Sequence, residues 1–291
     1  MQFGVSMFVT DRSARPADVA LEAEQRDFAS FWVSEHSHIP VSTRFPLAET
    51  VPREYASMLD PFVALTSAAA ATSRIRLGTA ICILTQHDPI NCAKAVASVD
   101  LISGGRMTFG IGAGWNEPEL QNHGTDPSRR FKLMRERAEA MKVLWTQDEA
   151  EYHGRLVDFD PLWQWPKPVQ KPHPPLLVAG AGPNVLKRAA SYGDGWLPVV
   201  VPEATPLSPG RMTPMAELVT SVPILRELTD AAGRAPPIVV VSGAALNLAM
   251  METLIDLGVD TLLFRLPSTG IDQVRRELDA HAQTVRELVR P

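Results

Sequence analysis

Cysteine is scarce in this 291-residue chain, which contains only Cys82 and Cys92. Two cysteines are too few for the disulfide framework of a small secreted domain, and their spacing is not that of a metal site. Cys82 lies in an apolar run, and unpaired cysteine is often buried in protein interiors. We therefore expect two reduced, packed thiols in a cytoplasmic protein.

Long hydrophobic runs and a strong charge of one sign are also missing. No apolar run approaches the roughly 18 residues of a transmembrane helix, and residues 1–5 lack the features of a signal peptide. The net charge of −5 gives no electrostatic reason to expect nucleic acid or an anionic membrane as a partner. Lysine supplies only 6 of the 28 basic residues, which is typical of a GC-rich bacterial genome such as an actinobacterial one.

The sequence does contain a regular alternation of short β-branched segments with amphipathic helical stretches, which is typical of a parallel sheet. Eight such pairs predict an α/β fold of the (β/α)8 (TIM) barrel type, in a single domain over residues 1–291, rather than a doubly wound sheet. The predicted strands are residues 2–9, 30–34, 75–83, 107–111, 176–179, 195–200, 238–242 and 261–264. The predicted helices lie near 16–28, 61–72, 89–102, 128–145, 183–192, 215–232, 245–257 and 272–288.

Three connections are longer than the usual loops of such a barrel. Residues 35–59 follow the second strand and residues 201–214 follow the sixth, so both lie at the carboxyl-terminal face, where barrel enzymes have their active sites. Residues 147–174 belong to the fourth unit and contain a stretch, 151–159, that alternates and turns like a β-hairpin. Insertions are therefore expected after strands 2, 4 and 6.

Histidine follows the second strand in the segment Ser34-Glu35-His36-Ser37-His38. A histidine there can act as a general acid or base, although a structural role in a long loop is the alternative. Glu35 need not touch His36, because neighbouring residues on a strand point to opposite sides. The His36-x-His38 pair also suggests a metal, but a catalytic zinc needs about three ligands and the ends of strands 5, 6 and 8 offer none. We expect no metal.

Two glycine pairs end neighbouring strands, Gly112-x-Gly114 after strand 4 and Gly180-x-Gly182 after strand 5. Glycine lets a backbone approach a ligand closely, although a simple turn explains either pair equally well. Pro183 then opens a helix whose free N–H groups favour phosphate. Together, on the same face, the two pairs favour a cofactor-binding role.

These motifs, taken together, resemble the luciferase-like monooxygenase superfamily, and most closely its branch that uses the deazaflavin coenzyme F420. Seven matching segments run in order from residue 31 to residue 196, whereas residues 201–291 match only in their strand and helix pattern. The segments are Phe31-Trp32-Val33-Ser34-Glu35-His36, Arg76-Leu77-Gly78-Thr79-Ala80-Ile81, Asp100-Leu101-Ile102-Ser103-Gly104-Gly105-Arg106, Gly110-Ile111-Gly112-Ala113-Gly114-Trp115-Asn116-Glu117, Tyr152-His153-Gly154-Arg155, Trp165-Pro166-Lys167-Pro168-Val169-Gln170 and Ala190-Ser191-Tyr192-Gly193-Asp194-Gly195-Trp196.

The resemblance implies a bacterial luciferase-like barrel with the cofactor ring in its mouth and a homodimeric assembly. It implies a bulge in strand 3, often with a non-prolyl cis peptide that would fall at Ala80-Ile81 and back the ring. It implies His36 near the reacting face, as a base or as a hydrogen-bond donor to the substrate. The cofactor-binding positions that it implies are Glu35, Thr79, Ala80, Ile81, Gly112, Gly114, Asn116 and, for phosphate, Ala179, Gly180, Ala181 and Gly182.

Two departures from the family pattern restrict the reaction. Sugar-phosphate dehydrogenases of this branch have a glutamate proton donor directly after the strand-4 glycines, where this sequence has Trp115. They also have a tryptophan four residues after the catalytic histidine, where this sequence has Pro40. An apolar or planar substrate therefore fits better than a sugar phosphate, with His36 and Trp115 as the catalytic candidates.

Three functional hypotheses follow for this sequence. The first is an F420-dependent oxidoreductase, in which hydride passes between C5 of the deazaflavin and a small organic substrate while His36 handles a proton. The second is an FMN-dependent monooxygenase that uses reduced flavin and O2. The third is a barrel without cofactor, with a regulatory or structural role, against which the retained glycine pairs and His36 argue.

Overall fold

Eight parallel strands form a closed barrel in this protein. A computed structural model describes residues 1–45, 49–182, 184–203, 212–243 and 246–288. The first strand pairs with the eighth in parallel, from Gln2 opposite Thr261 to Met7 opposite Leu266, and this pairing closes the sheet. Barrel strands 1 to 8 are Gln2–Met7, Ser30–Val33, Arg76–Thr79, Met107–Gly112, Leu176–Ala179, Gly195–Leu197, Ile238–Gly243 and Thr261–Leu266. The (β/α)8 fold is confirmed.

Short strand segments extend the barrel at its carboxyl-terminal face, which we call the mouth. Cys82–Ile83 continues strand 3 and pairs with strand 4, and Val199–Val201 continues strand 6 and pairs with strand 7. Thr213–Pro214 pairs with the extension of strand 6. Strand 3 was predicted as one run to residue 83, but it is interrupted after Thr79, and the Ala80-Ile81 peptide bond is cis as the family resemblance implied.

Most helices surround the barrel on its outer side, and two short ones, Arg53–Ala56 and Glu117–Asn122, belong to the segments at its mouth. The helices are Pro16–Gln25, Arg53–Ala56, Pro61–Ala71, Pro89–Ile102, Glu117–Asn122, Arg130–Thr146, Val185–Tyr192, Met215–Ala231, Leu248–Asp256 and Ile271–Leu288. Asp60 and Asp88 cap two of them by accepting backbone N–H bonds, with proline in the first turn, as the Asp-Pro sequences predict. Pro183 and Ala245, the predicted first residues of two helices, lie outside the described residues. Across the described residues, no helix combines the length and the apolar character that a membrane crossing requires.

The predicted hairpin is present in the insertion of the fourth unit. Strands Glu149–His153 and Asp158–Trp163 pair in antiparallel fashion, with a bulge between Ala150 and Tyr152. They follow the helix Arg130–Thr146 and precede strand 5. This order in the chain places the hairpin at the amino-terminal end of the barrel, away from the mouth.

The barrel interior is filled by a small apolar cluster that is separate from the larger core between strands and helices. Its buried members are Trp32, Leu177, Leu197, Val240 and Leu263, contributed by five different strands. Trp32 occupies the space beside Gly78, where a Cβ atom would stand 2.3 Å from Trp32 Cε3. Glycine in strand 3 is therefore required by the tryptophan of strand 2.

Strands 3 and 4 approach each other closely just before the interruption of strand 3. The hydroxyl of Thr79 donates to the carbonyl oxygen of Gly110 over 2.7 Å. A Cβ atom on Gly110 would stand 2.1 Å from the carbonyl oxygen of Thr79. The obstacle is backbone and cannot rotate away, so only glycine permits this approach.

We predict that Gly110→Ala destabilises the fold by about 2–3 kcal/mol, toward the upper end of the range for overpacking, because the methyl group pushes the two strands apart. The matched control is Gly270→Ala, since a Cβ atom there meets nothing within 4 Å and the backbone conformation is an ordinary one. This control is expected to change stability by less than about 1 kcal/mol. Urea unfolding followed by circular dichroism measures both, and equal midpoints for the two variants would contradict the packing argument.

Candidate active site

Two adjoining cavities open at the mouth of the barrel. The first, which we call the His36 cavity, has a volume of about 280 Å3 and is lined by residues that include Ser34, Glu35, His36, Phe45 and Tyr55. The second, which we call the glycine cavity, has a volume of about 470 Å3 and is lined by residues that include Gly112, Gly114, Arg130, Ala179 and Gly180. They share the residues Ala80, Ile81, Gly114, Trp115, Val199 and Ser242. The mouth is thus one site with two chambers.

His36 is buried and has a defined partner at each ring nitrogen. Nδ1 lies 2.7 Å from Oε2 of Glu119, which is also buried, and the indole Nε1–H of Trp115 donates to Nε2 over 3.2 Å. An indole nitrogen can only donate, so Nε2 of His36 accepts, and Nδ1 carries the ring proton and donates it in a hydrogen bond to the carboxylate of Glu119. The lone pair of Nε2 is therefore directed toward Trp115, which lines both chambers.

Aromatic rings surround His36 on the side of the His36 cavity. The ring centroid of Tyr55 is 5.5 Å from that of His36, and the centroid of Trp115 is 5.6 Å away in an edge-to-face arrangement. Phe45 contacts both Tyr55 and Trp115 at centroid distances of 5.0 and 5.9 Å. Burial raises the pKa of Tyr55, so its phenol stays protonated near neutral pH. The chamber is mainly apolar, and Tyr55 supplies one hydroxyl donor.

Glu35 lies at the base of the His36 cavity, and both of its carboxylate oxygens bond within the protein. Oε2 accepts the backbone N–H of Ile83 over 2.6 Å, and Oε1 bonds His87 Nε2 over 2.6 Å. Burial lowers the pKa of His87, but the hydrogen bond and charge of Glu35 outweigh burial and raise the pKa to about 9. His87 is therefore an imidazolium near neutral pH, and Glu35 holds the segment after the cis peptide. A contact between Glu35 and a cofactor stays a prediction.

Cys82 completes a group of three side chains of metal-binding type. Ligand atoms of Glu35, Cys82 and His87 all lie within 4.8 Å of one another. Burial raises the pKa of the Cys82 thiol, which disfavours the thiolate that a metal requires. The two oxygens of Glu35 already bond His87 and a backbone N–H. The group therefore consists of an ion pair between Glu35 and His87 beside the buried thiol of Cys82.

The glycine pair at the end of strand 4 is required by close contacts with neighbouring side chains. A Cβ atom on Gly112 would stand 2.7 Å from Ile81 Cδ1, and one on Gly114 would stand 2.8 Å from Leu120 Cδ2. Gly114 also has a φ of +76°, which favours glycine. In contrast, a Cβ atom on Gly180 would meet only Val185, at 3.6 Å. The Cβ position of Gly180 is therefore open, whereas the Cβ positions of Gly112 and Gly114 are already occupied by the side chains of Ile81 and Leu120.

The other predicted cofactor residues occupy different positions around the mouth. Thr79 is fully buried with its hydroxyl on Gly110, and Asn116 is buried with its amide on the hydroxyl of Thr43. Neither is among the residues that line the two chambers, and the same holds for Ala181 and Gly182. Ala80, Ile81, Ala179 and Gly180 do line the glycine cavity. Pro183 lies outside the described residues.

A cation that the motifs did not indicate lies at the edge of the glycine cavity. Nε of Arg130 is buried and has no hydrogen-bond partner among the described residues. The guanidinium of Arg188 stacks on the ring of Phe131 at 3.8 Å, and that of Arg130 lies 4.9 Å from the same ring. Arg130 also lies 3.8 Å from the carboxylate of Glu117, which lines the same cavity, so the donor that this edge offers to an anionic group is the buried Nε–H of Arg130.

Sequence reasoning missed Glu119, Tyr55, Phe45 and Arg130. Glu119 lies on the short helix Glu117–Asn122 directly after strand 4, at the mouth where acids and bases are expected, so its position could have singled it out. Tyr55 and Phe45 come from the long insertion after strand 2, whose path no periodicity describes. His38, the weaker candidate, bonds Ser37 and Asn122 at the surface and lines neither chamber.

Comparison with known proteins identifies relatives over most of the chain. The family model described as luciferase-like monooxygenase matches residues 1–246. An uncharacterised protein of Mycobacterium tuberculosis is 40% identical over 280 residues, which cover 94% of each chain. The F420-dependent glucose-6-phosphate dehydrogenase of Kineococcus radiotolerans is 31% identical over 222 residues, 75% of this chain and 59% of that protein.

Solved structures share the fold at lower sequence identity. The monooxygenase RslO1 from Streptomyces bottropensis superimposes with a TM-score of 0.78 over 99% of both chains at 20% identity. Relatives of partial coverage carry names of both cofactor types, F420-dependent dehydrogenases and FMNH2- or flavin-dependent monooxygenases. A deazaflavin or flavin cofactor is therefore supported.

We predict that Glu119→Ala lowers the free energy of unfolding by about 1–3 kcal/mol, because the buried Nδ1–H of His36 loses its acceptor. Glu117→Ala, on the same helix but with a side chain that is 62% exposed, is the matched control and should be nearly neutral. Nitrogen-15 NMR of the wild-type imidazole should show a protonated Nδ1 and an unprotonated Nε2. A protonated Nε2 in the neutral ring would contradict the hydrogen-bond assignment.

We predict a pH-dependent stability that originates in the Glu35–His87 pair. The folded pKa of His87, about 9, lies above its unfolded value, so the stabilisation is complete below about pH 6.5 and is lost as the pH rises through 9. The stability advantage of the wild type over Glu35→Gln should therefore shrink by about 3 kcal/mol between pH 6 and pH 10.

Urea unfolding of both proteins at a series of pH values measures this difference. Asp158→Asn is the control, because it removes the partner of His153 in an exposed ion pair and should produce no comparable pH dependence. A constant difference between the wild type and Glu35→Gln across this range would show that Glu35 does not raise the pKa of His87.

Proposed function

Because this chain belongs to the luciferase-like monooxygenase family, we propose that it is an F420-dependent oxidoreductase that transfers a hydride between the deazaflavin and a small organic substrate. The observation that carries the proposal is the buried His36, whose Nδ1–H is held by Glu119 and whose Nε2 accepts a hydrogen bond at the boundary of two chambers. Such a histidine can move a proton while a redox group occupies the neighbouring chamber. The cofactor that enzymes of this family use would supply the redox chemistry.

The residues of the glycine cavity fit a planar cofactor with an anionic end. Ala80, Ile81 and Gly180 line the cavity, and the backbone of Gly180 carries no side chain that would fill it. The unpaired Nε–H of Arg130 provides a donor for phosphate beside Ala179 and Gly180. Bound F420 would supply or accept the hydride at C5. Phosphate contacts of Ala181 and Gly182, and cofactor contacts of Glu35, Thr79, Gly112, Gly114 and Asn116, belong to the same proposal.

His36 has the properties of a general base or acid toward an oxygen of the substrate. Nε2 accepts the proton of a hydroxyl group during oxidation, and the resulting imidazolium returns it to a carbonyl oxygen during reduction. Glu119 stabilises the imidazolium, because its carboxylate lies 2.7 Å from Nδ1. The substrate reaches Nε2 only when the indole N–H of Trp115 gives up its present bond. Trp115 therefore takes part in each turnover by leaving and restoring this contact.

The chamber around His36 favours a neutral, apolar or planar substrate. Phe45, Tyr55 and Trp115 line it, and the acid that sugar-phosphate dehydrogenases have after the strand-4 glycines is replaced by Trp115. Arg265 lies at its rim, but its guanidinium bonds Glu54 at 3.2 Å and stacks over Phe8 at 4.4 Å. The protein therefore offers little free positive charge for a phosphorylated sugar in this chamber.

We also propose that the protein is a homodimer, that each chain forms a single domain, and that it acts in the cytoplasm. Light scattering after gel filtration tests the dimer.

The alternative function is an FMN-dependent monooxygenase with reduced flavin and O2, which the flavin-dependent relatives favour. The same two chambers would then hold FMN and the substrate.

We predict that the purified protein binds F420 with micromolar or tighter affinity in a fluorescence titration, and FMN more weakly. Tight FMN binding without F420 binding would overturn the proposal in favour of the monooxygenase. Binding of neither would indicate a barrel without cofactor.

We predict that His36→Ala retains F420 binding but loses about 10²–10⁴-fold in turnover, the usual contribution of a general acid or base. Turnover is measured with the compounds that react in a panel of short-chain alcohols and unsaturated ketones. His38→Ala is the matched control, since His38 lies at the surface and lines neither chamber. Full turnover by His36→Ala would remove the proton-transfer role from this residue.

A further inference from the structure

A groove that the proposed function does not use lies on the outside of the barrel, between the helices Arg130–Thr146 and Val185–Tyr192. We call it the basic groove. Its volume is about 400 Å3, and four of the side chains that line it are cations, Lys132, Arg135, Lys187 and Arg188. From its N-cap Asn184 to Tyr192 the second helix rises about 12 Å, at about 1.5 Å per residue. The groove is therefore elongated and has cations on both of its walls.

Most of the positive charge in the basic groove is not balanced by carboxylates. Nε of Arg135 is paired with Oε1 of Glu139 at 2.7 Å. Lys132, Lys187 and Arg188 form no ion pair with any residue that the structure describes. Three neighbouring cations without an acidic partner create a positive potential that attracts a ligand with several negative charges.

The end of the basic groove at Tyr192 holds a buried polar atom without a partner. Tyr192 lines the groove and is only 5% exposed, and its hydroxyl has no hydrogen-bond partner within the described ranges. Burial raises the pKa of Tyr192 to about 12, so the hydroxyl keeps its proton near neutral pH and can donate it in a hydrogen bond. A buried hydroxyl without a partner costs stability, and a ligand that supplies an acceptor removes this cost.

The opposite end of the basic groove adjoins the glycine cavity. Asn184 lies two positions after Gly182, where the proposed phosphate contacts end. Phe131 lines both spaces and is 39% exposed, so they meet at the protein surface and need no tunnel between them. Arg130 in the cavity and Arg188 in the groove both lie over the ring of Phe131, at 4.9 and 3.8 Å. An anionic chain attached to a ligand in the cavity can therefore follow these cations across the surface.

We propose that the basic groove binds the anionic tail of coenzyme F420, a chain of glutamate units that is joined to the deazaflavin through a phosphate. The ligand class is an oligocarboxylate, whose charges repeat along a chain as the cations do along the two helices. This inference rests on the proposed function, because it requires the deazaflavin ring in the glycine cavity. The groove therefore favours F420 over FMN, which ends at its phosphate.

The test compares two forms of the coenzyme, one with the glutamate tail and one that ends at the phospholactyl group, by fluorescence titration at low ionic strength. The tailed form should bind about 2- to 30-fold more tightly, the fold-change expected from two exposed ion pairs. The double variant Lys132→Ala and Lys187→Ala should lose most of this difference and bind the short form as the wild type does. Both lysines are exposed, so the variant is expected to fold.

The matched control is the double variant Arg276→Ala and Arg286→Ala. It removes the same charge from exposed positions of the helix Ile271–Leu288, which does not line the groove, and should leave both affinities unchanged. Tyr192→Phe keeps the buried ring and removes only its hydroxyl. It should weaken binding of the tailed form about 2- to 10-fold, the effect of one hydrogen bond, without affecting the short form.

Equal affinity of the wild type for the two forms would overturn the inference and leave the proposed function intact. A difference that persists in the lysine variant, or a loss that is the same for both forms, would overturn it as well. Binding of neither form would overturn the proposed function and the inference with it, so the two failures are distinguishable.

Discussion

The hydrogen bonds made by three consecutive residues at the end of strand 2 hold the mouth of the barrel together. The hydroxyl of Ser34 donates to the carbonyl oxygen of Ala80 over 2.7 Å, and the carboxylate of Glu35 accepts the N–H of Ile83. His36 then reaches Glu119 on the helix after strand 4. Strand 2 thus fixes both sides of the interruption in strand 3 and the first helix beyond strand 4. The walls of both chambers depend on this set of bonds.

A charge pair makes that attachment firm. A carboxylate with a single backbone partner would be costly to bury, but the imidazolium of His87 balances the negative charge of Glu35. The raised pKa of His87, about 9, reflects the strength of this pairing. Glu35 lines the His36 cavity, and His87 lies on the far side of its carboxylate, outside both cavity linings. Glu35 therefore supports the wall of the mouth, while His36, next to it in sequence, bonds Glu119 and Trp115.

The barrel wall also depends on close contacts at positions where only glycine leaves enough space for the neighbouring residue. Gly78 admits Trp32, Gly110 admits the carbonyl of Thr79, and Gly112 admits Ile81. Each of these contacts lies within the described barrel wall and involves protein atoms. The glycine motif of strand 4 thus has a structural explanation in these contacts, and Gly180 and Gly182 after strand 5 have one in their φ values of +129° and +87°, which favour glycine. A Cβ atom on Gly180 would meet only Val185 within 4 Å.

The barrel could be predicted from the sequence because its signal is local and repeated. Alternating strand and helix patterns and the Asp-Pro helix caps depend on residues within a few positions of one another. The interruption of strand 3 could be placed only through the family resemblance, since Gly-Thr-Ala-Ile alone is typical of a plain buried strand. Composition and periodicity carry no information on such a departure from regular geometry.

The partners inside the mouth could not be predicted, because they are distant in the chain. Glu119 is 83 positions from His36, and His87 is 52 positions from Glu35. Tyr55 and Phe45 belong to an insertion with no periodic pattern. Residue types and strand ends identified His36 as a candidate, but its tautomer depends on Glu119 and Trp115 together. Only the three-dimensional arrangement brings that pair of partners to the same ring.

The position of Trp115 constrains any chemistry at this site more than its residue type alone indicates. Its indole N–H donates to Nε2 of His36, and its ring lines both chambers. A ligand in either chamber therefore contacts the same side chain. A substrate that bonds Nε2 must compete with an existing hydrogen bond, and an apolar molecule that displaces the ring without replacing that bond leaves Nε2 unsatisfied. Molecules with an oxygen next to an apolar body would satisfy both demands. In the proposed function, the preference for such substrates follows from one hydrogen bond between Trp115 and His36 beside an aromatic wall.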